Sequence, residues 1–510
     1  MSEACLKSAT LNSYKTYSIY REKCQTIRMG TGMINRIFCL SEFNTTIRTE
    51  LAAGLTTFLT MAYIIFLQPA VMSGQMFGMD TGIDFGAVMT ATCLAAALST
   101  FIMGVYANYP IAQAPGMGEN FFFVLGVLPA AATLPAVAAG DVPAWEVALG
   151  VVFISGIIFL LISLTGIREK IVDAISPSMK NAIAVGIGLF ITFIGLQNAG
   201  LIIHEPSTCV KLNPSFLSVD LFIFFCGLFL TVTLHARRVR GAILIGIIGG
   251  ALLSLFLKLV LPYFYDIAAS NMLKESMLMT KFLIPLSDTG FFGFIASSPP
   301  SIAPTFLKMN IVQALSGIMI PYIIIFLFMD VFDTIGTLIG VSEQAGFIRD
   351  NKLPRAGRVF RSDAIGTVAG ACMGTSTITS FVESTAGVEH GGRTGLTSVT
   401  VAFLFIAALF FSPLVIMIGS YPPITAPALI IVGGMMFKNV VKIDWSDYSE
   451  SFPAFLIVMG IPFSFSIADG MAVGLMVYPL LKLFSGKGKE VAWIVYALGI
   501  IIFLYFIFIR

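Results

Sequence analysis

Long apolar runs recur from about Leu51 to the C-terminus, and they constrain the fold of this chain more than any other feature. Each run is close to the ~20 residues that cross a bilayer as a helix. Only 11% of the residues are charged, whereas a water-soluble fold needs about 25% to cover its surface. The short alternating segments that are typical of a transmembrane barrel are absent from the sequence. The sequence therefore predicts an all-α polytopic membrane protein.

The apolar runs divide into about fourteen segments that differ in length. The run over 453–484 is too long for one straight crossing and contains Pro462 and Gly470, so we expect it to bend or split. The runs over 116–130 and 381–390 are too short to cross alone. The predicted segments are 50–70, 86–105, 116–130, 146–166, 179–199, 218–235, 241–262, 317–340, 361–373, 381–390, 396–418, 422–437, 453–484 and 490–509.

Basic residues collect in the loops that fall on one side of this bundle. They include Arg168 and Lys170, the segment 235–241 and the segment 348–361, and the N-terminal tail is basic as well. Short loops that are rich in lysine and arginine face the cytoplasm. We therefore predict a multi-pass protein of the plasma membrane with both termini in the cytoplasm and an external loop over 263–316.

Two of the segments are interrupted in the same way, one in each half of the chain. "NYPIAQAPGMGENFFF" (108–123) and "GTSTITSFVESTAGVEHGG" (374–392) each read as an extended approach that leads into a half-length helix. Irregular backbone at membrane depth survives only where it lines a cavity or is buried in protein. A matched pair of this kind indicates the binding site of a transporter built from inverted repeats. The alternative is a pair of Gly/Pro kinks that serve close helix packing.

Two aspartates lie three residues apart in the apolar run "FLFMDVFDTIGTLIG" (326–340). On a helix Asp330, Asp333, Thr334 and Thr337 form one polar stripe. A charge at the bilayer centre costs about 2.5–3.5 kcal/mol on insertion scales, so two such charges indicate function. Burial and mutual repulsion both disfavour the ionised carboxylate, which makes either aspartate a candidate proton carrier. The alternative is that one of them binds backbone amides of a broken helix.

Further polar side chains lie in the interrupted segments. Glu119 and Asn120 begin the first half-helix, and Glu383 lies in the second interrupted segment, just after its strand-like approach. Converging half-helix N-termini with an amide and a carboxyl suit a planar, polar ligand. Neither a Walker-type loop nor a metal-ligand spacing of histidines and cysteines occurs, so we predict neither ATP nor a metal or other cofactor. The residues alone thus predict a secondary transporter for a small polar substrate, coupled to protons.

Four motifs resemble those of a known family. "NTTIRTELAAGLTTFLTMAYIIFLQP" (44–69), "APGMGENFFF" (114–123), "FMDVFDTIGTLIG" (328–340) and "GTSTITSFVESTAGVEHGGRTGLTS" (374–398) occur in the order found in the AzgA-like purine permeases. These are adenine/guanine/hypoxanthine transporters of the nucleobase–cation symporter-2 family. The resemblance runs from about Asn44 to the C-terminus.

The resemblance implies a substrate site. Asp333 and Gly336 match the acid and glycine of segment eight in a distant bacterial uracil permease, and Asp333 is therefore expected to bind substrate and proton. Glu383 matches the segment-ten glutamate that hydrogen-bonds the base. The expected substrate-binding residues are Asp333, Glu383, Asn120, Gly118 and Ser384. The proton-coupling candidates are Asp330, Asp333, Glu383 and Glu119.

The family also implies two inverted seven-segment repeats that form a core domain and a gate domain. The expected ranges are a polar, disordered tail (1–43), the core in two halves (44–178 and 317–418) and the gate in two halves (179–316 and 419–510). We expect a purine nucleobase, protons and the lipid bilayer as partners, no nucleic acid, and a homodimer as an open alternative.

This chain departs from the family pattern at two positions. Gln68 stands where asparagine is usual, and Glu119 stands where leucine is common. An additional acid beside the pocket could change the substrate preference or the proton stoichiometry, so the preferred purine stays open.

Two other classes of protein fit parts of this pattern. The first is an anion or other small-solute transporter of the same inverted-repeat fold. An anion transporter needs a positively charged site, whereas these motif segments carry acids. An intramembrane aspartyl protease needs two carboxyls that face each other across a substrate, but Asp330 and Asp333 adjoin on one helix. We therefore expect a transporter and not an enzyme.

Overall fold

A computed structural model provides the fold. It describes residues 33–165, 176–206, 208–216, 218–264, 276–282, 296–347 and 355–493, together with isolated positions from 495 to 503. Several predictions lie wholly or partly outside these residues, namely the N-terminal tail up to 32, the loop of Arg168 and Lys170, parts of the external loop, the basic loop over 348–354, and most of the last segment (490–509).

The described chain is mainly helical. Up to residue 165 the helices are Met33–Phe38 (α1), Ile47–Met61 (α2), Ile64–Met72 (α3), Phe85–Ile102 (α4), Met117–Phe122 (α5), Leu128–Ala132 (α6), Pro135–Ala138 (α7) and Ala144–Thr165 (α8). Between 176 and 347 they are Pro177–Asn198 (α9), Val219–Ala236 (α10), Ala242–Phe264 (α11), Met277–Thr280 (α12), Ile311–Ala314 (α13) and Ile320–Gln344 (α14). From 355 onward they are Ala356–Met373 (α15), Ser384–Glu389 (α16), Gly395–Ala408 (α17), Ser412–Gly419 (α18), Pro422–Phe437 (α19), Tyr448–Ser464 (α20) and Ile467–Phe484 (α21).

Four short strands complete the regular structure. They are Gln113–Pro115 (β1), Ile202–Glu205 (β2), Cys209–Leu212 (β3) and Ile378–Ser380 (β4). Strands β2 and β3 form a local antiparallel hairpin. Strands β1 and β4 pair with each other across the two halves of the chain.

The polytopic membrane architecture is confirmed at the level of helices. Eight helical stretches among the described residues are long and apolar enough to cross a bilayer.

Side-chain caps begin several helices. Asp84 accepts a hydrogen bond from the backbone N–H of Ala87, and Ser176 accepts one from Met179. Such caps satisfy backbone donors that a helix start leaves open.

The predicted break in the run over 453–484 is confirmed. Helix α20 ends at Ser464 and α21 begins at Ile467, with Phe465 between them at a φ of 53°. The two helices pack closely against each other. A Cβ built on Gly460 would lie only 3.0 Å from Gly470 Cα, so glycines permit this approach.

The long helices pack in two groups. Helices α2, α4, α8, α14, α15, α16 and α17 pack among themselves. Helices α9, α10, α11, α19, α20 and α21 form the second group. Fewer contacts join the groups, among them those of α11 with α2 and of α21 with α5.

Candidate functional site

The β1–β4 pair lies at the centre of the candidate site. Gln113 pairs with Ser380, Ala114 with Thr379 and Pro115 with Ile378, and all three residues of each strand are buried. Strand β1 leads into α5, which continues through a π-helical turn (Phe123–Val127) and α6 as one apolar helix to Ala132. Strand β4 leads into the six-residue helix α16. The predicted strand and half-helix are thus confirmed in both interrupted segments. The pairing brings the polar residues of the two half-helices to one place.

Glu383 is held by a tyrosine from the other half of the chain. Tyr63, at the break between α2 and α3, donates a hydrogen bond from its hydroxyl to Glu383 Oε1 at 2.5 Å. Both residues are buried. The neighbouring Ser384 accepts a hydrogen bond from the backbone N–H of Ala112 at 3.0 Å, so its hydroxyl ties α16 to the approach of β1.

Asp333 lies near both Glu383 and Glu119. Asp333 interacts electrostatically with Glu383, Tyr63 and Glu119, and the side chain of Thr379 lies next to it. Glu119 is 3% exposed. A Cβ built on Gly116 would lie 2.8 Å from Glu119 Cδ and 3.0 Å from Thr379 Oγ1. The Glu119 carboxyl therefore folds back over the start of α5, toward the strand pair.

Asn120 and Gly118 occupy different sides of α5. Asn120 is fully buried, and its Oδ1 accepts a hydrogen bond from Ser376. A Cβ built on Gly118 would lie 3.1 Å from Ile187 Cγ2 of helix α9 in the second group. Any side chain at 118 would therefore press on the neighbouring group of helices.

Asp330 lies three residues before Asp333 on helix α14 and supports strand β4. Its Oδ2 accepts a hydrogen bond from Thr367 at 3.1 Å. Thr367 also exchanges hydrogen bonds with the backbone of Ile378. Helix α14 is continuous past Asp330, so the backbone amides of its own helix need no side-chain partner at this point.

Sequence reasoning missed a buried network behind β1. Asp363 on α15 accepts hydrogen bonds from Gln113 Nε2 at 2.6 Å and from Thr334 at 2.5 Å. Gln113 in turn accepts one from Ser99 at 2.5 Å. Asp363 is a lone carboxylate in the apolar run 361–373, and this feature of the sequence could have identified it.

The charge of the candidate site is set by its acids. Within the described part of the chain, Glu119, Asp333 and Glu383 form no ion pair with lysine, arginine or histidine. Buried carboxylates without a cationic partner favour protonation or a hydrogen-bond donor as ligand. Among the described residues there is also no cluster of side chains that could hold a metal ion.

Comparisons with known proteins agree on one family. A model with the description "Permease family" (Xan_ur_permease) matches residues 48–473. The chain is 42% identical to the guanine/hypoxanthine permease PbuG of Bacillus subtilis, over 93% of this chain and 99% of that protein. It is 35% identical to the adenine permease AdeP of Escherichia coli K12, over 94% of this chain and 97% of that protein.

A solved structure shares the fold. The transmembrane domain of a cyanobacterium bicarbonate transporter, BicA, matches with a TM-score of 0.56 at 13% sequence identity. The match covers 84% of this chain and 97% of that domain. At this identity the likeness concerns the fold alone.

Proposed function

We propose, from the premise that this chain belongs to the Permease family of nucleobase–cation symporters, that it carries purine nucleobases across the plasma membrane together with protons. The membership confirms the family resemblance of the sequence, and it makes the chain a transport protein and not an enzyme. The proposed substrates are guanine, hypoxanthine and adenine, which the names of its relatives include. Transport proceeds by alternating access.

The observation that carries this proposal is the β1–β4 pair, which brings together the buried side chains of Asn120 and Glu383, with the half-buried Asp333 close to Glu383. A purine is flat and carries both N–H donors and ring or carbonyl acceptors. An amide and carboxyl groups can match both kinds of group. We assign Asp333, Glu383, Asn120, Gly118 and Ser384 to the purine, with Ser384 acting through its hold on the β1 approach.

Proton coupling rests on the same acids. Asp333 lies within electrostatic range of both Glu383 and Glu119. Keeping all three ionised in a buried site is costly, so at least one of them carries a proton when the site is formed. Asp330 is the weakest of the four proton-coupling candidates because it supports β4 through Thr367.

The whole chain is proposed to form fourteen segments in two inverted repeats. The first packing group corresponds to the proposed core domain and the second to the proposed gate domain. The fold shared with BicA and the one strand from each half support this arrangement. We place both termini in the cytoplasm on the charge of the loops.

An anion transporter is the alternative function. Only the fold likeness to the bicarbonate transporter favours it. The described site contains Glu119, Asp333 and Glu383, and an anion would meet their charge directly. We therefore prefer the nucleobase.

Uptake of radiolabelled hypoxanthine, guanine and adenine into cells that lack their own purine permeases tests the proposal. We expect uptake of at least one base that a protonophore abolishes. Uptake of bicarbonate or sulfate that purines do not inhibit would instead support the anion alternative.

Site variants test the assignment of residues. Glu383→Ala and Asp333→Ala are each expected to abolish uptake while the protein stays in the membrane. The matched control is Glu389→Ala, because Glu389 is exposed at the far end of α16. Normal uptake by either site variant would show that the acids are wrongly assigned.

A further inference from the structure

We propose that Gln68 is a specificity-determining positioning residue that makes the site prefer 6-oxopurines, hypoxanthine and guanine, over adenine. The inference rests on the proposed function and concerns the direction of a hydrogen-bond chain from Gln68 through Ser376 to Asn120. Gln68 lies on α3, Ser376 on the approach to β4 and Asn120 on α5. All three side chains are fully buried.

The hydrogen-bond chain begins at the Gln68 amide. Its Nε2 donates to Thr375 Oγ1 at 2.9 Å and to Ser376 Oγ at 3.3 Å. Among the described residues, Gln68 Oε1 is buried and has no hydrogen-bond partner. Gln68 is therefore hydrogen-bonded through its amide nitrogen, and this sets the direction of the bonds that follow.

The direction of these hydrogen bonds then fixes the orientation of the Asn120 amide. Because Ser376 accepts from Gln68, its own proton is free to go to Asn120 Oδ1, with which it is hydrogen-bonded. The Asn120 carbonyl is thereby occupied, and the amide Nδ2 is left as the group that can serve a ligand. Its contact is Met117 Sδ at 3.8 Å, and a thioether is a weak acceptor.

Glu383 has the opposite role to Asn120 and accepts hydrogen bonds. Its Oε1 accepts from Tyr63. When the coupled proton is on Asp333 or Glu119, the Glu383 carboxylate is ionised and can only accept further hydrogen bonds. The site thus offers a donor at Asn120 and an acceptor at Glu383. Hypoxanthine and guanine present the complementary edge, a ring N1–H beside the carbonyl O6. Adenine presents the reverse, an unprotonated N1 beside an amino group.

Competition in wild-type cells is the first test and needs no variant. Unlabelled guanine, unsubstituted purine and adenine compete against uptake of labelled hypoxanthine. We expect guanine to inhibit best, purine less, and adenine least, with adenine weaker than guanine by roughly tenfold or more. Adenine that inhibits as well as guanine would overturn the inference. The proposed function would still stand in that case, because labelled hypoxanthine uptake measures it separately.

Variants that break this hydrogen-bond chain are the second test. Gln68→Met keeps the length of the side chain without its donor, and Ser376→Ala removes the middle link. Each is expected to reduce the preference for guanine over adenine by roughly tenfold, because Asn120 is then free to turn its carbonyl to the ligand. The double variant should show no further change, since both substitutions break one chain.

Ser254→Ala is the matched control. Ser254 is fully buried in α11 and donates to Gly250 of the same helix at 2.8 Å. It should keep the wild-type preference. If Gln68→Met and Ser376→Ala reach the membrane, transport hypoxanthine and keep the wild-type preference as well, Gln68 does not determine specificity.

Discussion

At the scale of single residues, the contact between Tyr63 and Glu383 joins the start of the chain to its second interrupted segment. The phenol can donate one hydrogen bond, and at 2.5 Å it gives that bond to Glu383 Oε1. The remaining carboxylate oxygen is thereby turned toward other partners. Tyr63 lies in an apolar run where a tyrosine normally reads as core, so sequence reasoning did not find it.

Replacing Tyr63 tests whether this contact positions Glu383 for substrate. Tyr63→Phe removes only the hydroxyl, and we expect KM for hypoxanthine uptake to rise about tenfold, the cost of one hydrogen bond to a charged group. The maximal rate should change less than KM. The measurement is the concentration dependence of labelled uptake, normalised to transporter in the membrane.

Tyr421→Phe is the control for this variant. Tyr421 is also fully buried and also donates to an acid at 2.5 Å, Asp220, but it lies in the second packing group. It should lower thermal stability and leave KM unchanged. Equal effects of both variants on KM would mean that Tyr63 acts through stability alone.

At the scale of elements, the strand and half-helix of each interrupted segment could be predicted, because proline, glycine and β-branched residues limit the backbone locally. Their mutual pairing could not be derived from local pattern, because it joins positions far apart in the chain. Asp363 shows the same limit. The sequence places it in an apolar run, but only the fold reveals that it joins Gln113 of β1 to Thr334 of α14.

Asp363 is expected to matter for stability through these two bonds. Asp363→Leu leaves two buried donors without an acceptor, at about 1–3 kcal/mol each. Thermal unfolding of the detergent-purified transporter should therefore shift to clearly lower temperature. Asp363→Asn can still accept from Gln113 and donate to the Thr334 hydroxyl, so we expect it to retain most of the stability. A large loss in Asp363→Asn as well would show that the charge, and not the hydrogen bonds, is required.

At the scale of the whole molecule, the composition was sufficient to predict a polytopic helical protein, because lipid-facing surface requires apolar residues around most of each helix. The number of crossings is less certain from sequence. Eight stretches among the described residues are long enough to cross alone. The helix that begins with α5 and ends at Ala132 is shorter, and α16 has only six residues. The division into two packing groups follows from contacts between distant segments, which apolar pattern does not encode.

Alternating access requires these two groups to move relative to each other, and a covalent link between them tests that requirement. A Cβ built on Gly241, which precedes α11 and has a φ of 70°, would lie 3.0 Å from Leu59 Cβ on α2. A disulfide needs about 3.5–4.5 Å between these atoms, so the two segments must move apart slightly for the link to form. In a chain whose native cysteines are replaced by alanine, oxidation of the variant Leu59→Cys/Gly241→Cys should reduce purine uptake to background, and a reducing agent should restore it.

The control is Gly250→Cys/Ile424→Cys, which links two helices of the second group. A Cβ built on Gly250 would lie 3.9 Å from Ile424 Cα, so this pair is also close enough to be tested for a link. Because both helices belong to one group, oxidation should leave uptake unchanged. Electrophoresis of a chain cut by a protease site in the loop between the linked helices reports whether each disulfide has formed. Full uptake through a transporter in which the Leu59–Gly241 link is complete would contradict relative motion of the two groups at this contact, and with it the proposed division into core and gate.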